Sequence, residues 1–154
     1  MERKEVETQY RWKTEDIFGS DEAWEAAFAA LETLPDVSSF RGNLNTAENV
    51  AAYFALTDAY EIKLMRVYLY AFLKHDEDVR VTKYNAYVAK VMSLFTRYGA
   101  ETSFAVPELT ALPEETLATI AADERLKDYD YSLKRLIARK KYVLSEKEEL
   151  ILAQ

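Results

Sequence analysis

The chain has 154 residues, 31% of them charged, with a net charge of −7 and no cysteine. Those values exclude a disulfide framework, thiol catalysis and Cys-ligated zinc, and they argue against a general nucleic-acid partner, which needs surplus Lys and Arg to neutralise phosphates. No apolar run approaches the length that crosses a bilayer, and Met1-Glu2-Arg3-Lys4-Glu5 leads into no hydrophobic signal core, so no membrane partner and a cytoplasmic location are expected.

The length fits one domain, residues 1–154, able to bury its own core. With three Gly and three Pro turns are few, and Ala, Leu, Glu, Lys and Arg dominate, which predicts an all-α fold. Residues 1–19 read as an extended leader that docks by Tyr10 and Trp12. Ser20-Asp21-Glu22 then supplies an N-cap and an acidic first turn, followed by Trp24, Ala27, Phe28, Leu31 and Leu34 at helical spacing until Pro35. Residues 36–45 form a connector rich in Ser, Gly42 and Asn.

Thr46 can cap a long helix over about 47–74, with Val50, Tyr53, Thr57, Tyr60, Leu64, Val67 and Ala71 on one seam and Phe54, Met65, Leu69 and Phe72 widening it. Any break is expected at Thr57-Asp58. So wide an apolar arc predicts a central position among neighbouring helices. His75-Asp76-Glu77-Asp78 interrupts the pattern, and Asp78 is read as the cap of a second long helix over about 79–103. Its seam is Val81, Tyr84, Val88, Val91, Phe95, Tyr98 and Thr102. So short a connection makes the two helices an antiparallel hairpin, the centre of a helical bundle with shorter flanking helices. The residue before Pro107 avoids the α region, which predicts a helix end around 103–107. Pro113-Glu114-Glu115 opens a short helix carrying Leu117, Ile120 and Ala121. Tyr129, Leu133, Leu136, Ile137 and Lys140 mark another over about 127–141, and Ser145-Glu146-Lys147-Glu148 reads as a capping box. The helix it announces has barely two turns before Gln154, which fits either a piece of a longer protein or a short final helix.

Chemistry is sparse. His75 is the only histidine, so the paired His of a zinc-hydrolase helix is absent, and no Gly-rich phosphate loop or nucleophile with its base occurs. Asp76-Glu77-Asp78 lacks the spaced ligands and mid-loop Gly of an EF-hand, and helix capping accounts for it more simply. Lys134, Arg135, Arg139, Lys140 and Lys141 form a basic cluster that could meet an anion, or simply end a solvated helix. Catalytic and metal-binding residues are therefore expected to be absent. Of the eleven Tyr, Tyr68, Tyr70, Tyr87 and Tyr98 on the hairpin are the candidates for contact with a peptide or another domain, since Tyr joins apolar area to a hydroxyl.

Several motifs taken in order carry a resemblance. They are Tyr10-Arg11-Trp12-Lys13, Glu15-Asp16-Ile17-Phe18 and Ser20-Asp21-Glu22-Ala23-Trp24, then Phe40-Arg41-Gly42-Asn43-Leu44. Tyr68-Leu69-Tyr70-Ala71 with Asp76-Glu77-Asp78, Ser103-Phe104, Pro107-Glu108-Leu109 and Leu112-Pro113-Glu114-Glu115 follow, and Leu144-Ser145-Glu146-Lys147-Glu148-Glu149 closes the set. Together they resemble the N-terminal helical region of oligoendopeptidase F, a bacterial zinc metallopeptidase of the thimet-oligopeptidase superfamily. The resemblance implies a larger, mostly helical enzyme that cleaves short peptides inside a channel, with zinc held by an HExxH helix and a further Glu elsewhere in the parent. It implies a non-catalytic part of the channel wall here, with the C-terminal catalytic domain of the same chain and oligopeptide substrates as partners. Relatives often carry a His before the final box, where this chain has Lys141-Tyr142-Val143-Leu144. The alternative reading is a stand-alone helical module that binds a peptide or protein.

Overall fold

A computed structural model describes residues 6–140 and 146–152. Among them the elements are helical and no strand occurs: α1 (Asp21–Leu31), α2 (Ala47–Glu77), α3 (Thr82–Thr102), α4 (Ala105–Ala111), α5 (Glu114–Ala121), α6 (Asp130–Arg139) and α7 (Glu146–Leu152), with short 3-10 turns between. Ser145 and the connection 141–144 lie outside the described residues, as does most of the leader's charged start. By contacts the chain forms two compact units, Met1–Leu34 with Ala59–Phe95, and Pro35–Asp58 with Thr96–Gln154.

In the first unit, Ser20 caps α1 as its sequence predicts, its Oγ accepting the Ala23 N–H at 3.2 Å. The leader folds differently from expectation. Thr8–Tyr10 and Thr14–Asp16 are 3-10 turns, Tyr10 is 73% and Trp12 48% exposed, and Phe18 packs edge-on to Tyr70 at 5.6 Å. Arg66 fixes this segment by donating to the Ile17 carbonyl at 2.8 Å while its guanidinium lies over Phe18.

Residues 59–77 of α2 and 82–95 of α3 run antiparallel, because Tyr68 meets Phe95 near one end and Lys74 lies over Tyr84 near the other. Tyr60, Leu64, Val67 and Ala71 are buried, as the α2 seam requires. On α3 the buried stripe is Tyr87, Val91 and Leu94, with Tyr84, Val88 and Phe95 half-buried beside it. The expected seam is thus rotated by part of a turn. α2 also continues through His75 to Glu77, where Lys74 and His75 in the last turn suit the negative end of the helix dipole. Asp78 does not cap α3: its carboxylate accepts the Arg80 N–H at 3.0 Å and pairs with the Arg80 guanidinium at 2.6 Å, which stabilises a turn ahead of Thr82. The paired guanidinium and the N–H hold that carboxyl at about 2.

The second unit has its own core of Val37, Leu44, Val50, Tyr53, Phe104, Leu109, Leu117, Ile120, Leu126 and Leu133. No break occurs at Thr57, whose Oγ returns to the Tyr53 carbonyl at 3.0 Å and so satisfies a buried hydroxyl without leaving the helix. α4 was not legible from its Pro. Pro107 falls in the first turn, where a missing N–H costs no helical bond. Pro113 immediately precedes α5, and α6 packs on both α4 and α5.

Val91 is fully buried in the first unit, so Val91→Asp, which places an unpaired charge there, is expected to cost at least about 3 kcal/mol. An unchanged midpoint in urea denaturation would contradict the orientation of α3.

Candidate functional site

The hairpin tyrosines occupy two kinds of place. In the first unit Tyr70 and Tyr87 are each 3% exposed, whereas Tyr68 is half-buried with its ring 4.2 Å from Phe72 and edge-on to Phe95 at 5.6 Å. Tyr98, 6% exposed, belongs to the second unit. Tyr68 is therefore the member of the predicted set whose ring an incoming group can reach in part.

Three hydroxyls in the first unit, those of Tyr70, Tyr84 and Tyr87, converge on the acidic side of α1, while Tyr60 donates to the Leu31 carbonyl at its other end at 2.7 Å. Tyr70 donates to Asp21 Oδ1 at 2.7 Å, Tyr84 to Asp21 Oδ2 at 3.3 Å, and Tyr87 to Glu25 Oε1 at 2.5 Å. Lys83 completes the group with an ion pair to Asp21 at 2.9 Å. Aromatic rings supply the floor. Trp24 is fully buried, stacked on Tyr87 at a centroid distance of 3.7 Å and on Phe28 at 5.3 Å, with its indole N–H donating to the Val67 carbonyl at 2.8 Å.

Burial alone would raise the Asp21 carboxyl, but hydrogen bonds from Lys83 and Tyr70 and the charge of Lys83 outweigh it and leave the group below its usual range. Burial and then the bond to Asp21 push the Tyr70 phenol up, and burial with the bond to Glu25 does the same for Tyr87. In the second unit the bond to Asp58, at 2.5 Å, together with burial raises Tyr129 to about 12. A folded value above the unfolded one gives stability that is full below the ordinary phenol range and lost as pH rises through the raised value. The depressed Asp21 contributes above the ordinary carboxylate range and loses that contribution on acidification. Absorbance titration at 295 nm should therefore show Tyr70, Tyr87 and Tyr129 ionising only above the ordinary phenol range, and together with loss of helical circular dichroism. Ionisation of all eleven tyrosines around 10 with helicity intact would contradict these bonds.

The remaining expected groups do not gather into a reactive centre. His75 Nδ1 lies 2.8 Å from Asp76 Oδ1 within the last turn of α2. Lys134 pairs with Asp130, the Arg135 guanidinium lies over Tyr131, and the Lys140 ammonium donates to the Leu112 carbonyl. The Arg139 side chain and Lys141 lie outside the described residues. Among those residues no three His, Cys, Asp or Glu side chains form a group able to hold a metal ion. No helix among them is long and apolar enough to cross a membrane.

One junction joins two segments far apart in sequence. Glu108, in the first turn of α4, accepts the Gly42 N–H at 2.8 Å and the Leu44 N–H at 2.6 Å. Gly42 has φ +78°, a left-handed conformation that aims its N–H at the carboxylate. The Arg41 guanidinium covers the Phe104 ring at 4.5 Å. Phe40-Arg41-Gly42-Asn43-Leu44 and Pro107-Glu108-Leu109 are thus the two sides of one structural joint. In the sequence Gly42 marks only a connector, and nothing there names Glu108 as the acceptor. Glu108→Ala is expected to cost about 2 kcal/mol, since it removes two charge-assisted bonds. Gly42→Ala, whose Cβ would meet nothing within 4 Å, should cost about 1 kcal/mol through backbone strain alone. Denaturant midpoints measure both, and a neutral Glu108→Ala would contradict the joint.

A family model described as Oligopeptidase F matches residues 108–154. Oligopeptidase PepF of Bacillus subtilis is 34% identical over 99% of this chain and 23% of its own length, and group B oligopeptidase PepB of Streptococcus agalactiae is 30% identical over 98% and 26%. Among solved structures, a Chlamydophila abortus protein superposes with a TM-score of 0.82 at 26% identity, over 99% of this chain and 26% of that one. Oligoendopeptidase-F from Enterococcus faecium gives 0.76 at 25% identity, over 87% and 27%. The chain therefore spans about a quarter of the length of these relatives. Helical throughout its described elements and aligned with these relatives over nearly its whole length, it belongs to the oligoendopeptidase F family.

Proposed function

We propose that residues 1–154 are the N-terminal, non-catalytic helical domain of a zinc-dependent oligoendopeptidase, and that they form part of the wall of its substrate channel. The observation that carries this reading is the alignment of 99% of the chain with 23% of an oligopeptidase. The described residues fit a wall better than a reaction centre. Their acids accept tyrosine hydroxyls, Arg80 or backbone N–H groups, and they offer zinc no ligand set. Zinc, when bound to the parent, would polarise the scissile carbonyl and activate water; the residues here do not fit that ion, and no step is routed through them. Their role is steric, since a rigid helical wall admits an unfolded oligopeptide and turns away a folded protein. Tyr68 is the ring best placed for contact with peptide or with the catalytic domain of the same chain, and the compartment is the cytoplasm.

The coding region beyond Gln154 tests the proposal, with a downstream HExxH expected and a stop codon contradicting it. Purified residues 1–154 should show no chelator-sensitive hydrolysis of a bradykinin-like peptide, while the protein from the whole coding region cleaves it. Turnover by the shorter chain that a chelator abolishes would overturn the assignment.

A further inference from the structure

We draw no further inference here: the strongest candidate, the fully buried Thr14 hydroxyl at the start of the second 3-10 turn of the leader, has no hydrogen-bond partner among the described residues, and nothing else in the structure points to a ligand for it.

Discussion

The indole N–H of Trp24 is buried completely, and a buried donor without an acceptor would cost about 1–3 kcal/mol. Its solution, a bond to the Val67 carbonyl inside α2, fixes where α1 lies on the hairpin in the first unit. Tyr87 then stacks on the indole from α3, so one side chain touches all three helices. With Trp24 placed, Asp21 stands one helical turn away beside the Tyr70 and Tyr84 hydroxyls and Lys83, while Glu25 meets Tyr87. The hydroxyls that give tyrosine its value in recognition are in this way used to hold α1.

That commitment shapes the rest of the unit. The acids of α1 draw Lys83 and the hydroxyls of Tyr70, Tyr84 and Tyr87 to one side of the hairpin, while Tyr68 meets Phe95 edge-on. The second unit uses a different device, a single carboxylate. Glu108 holds the Gly42–Leu44 turn through two backbone N–H groups, and Tyr129 bonds Asp58 across its core. In both units the described acids that carry these joints hold helices and turns.

Legibility in the sequence followed the locality of the cause. The α2 seam from Val50 to Ala71 is buried at every residue named for it, since helical spacing alone decides it. The Ser20 cap acts within three residues and was equally plain. On α3 the stripe turned toward Tyr87 and Leu94 because Trp24, over sixty residues earlier, supplies the surface that Tyr87 covers. Asp78 followed a local rule but a different one, since Arg80 two residues on captured it. Pro107 misled because its effect depends on which turn of a helix it occupies. The Glu108 joint spans 64 and 66 residues of sequence, a separation at which no single-sequence pattern speaks. Of the four tyrosines singled out for contact, Tyr98 lies on the α3 seam and its burial follows from spacing, whereas Tyr70 and Tyr87 are buried because α1, distant in sequence, lies against them.

The central claim is that Trp24 and Tyr87 act as one structural joint that holds α1 to the hairpin. A double-mutant cycle with Trp24→Leu and Tyr87→Leu, scored by urea denaturation, tests it most directly. The structure predicts a favourable coupling of about 1 kcal/mol or more, for a stacked pair in a fully buried setting. Additive effects within about 0.3 kcal/mol would show that the two rings do not cooperate and would contradict the account.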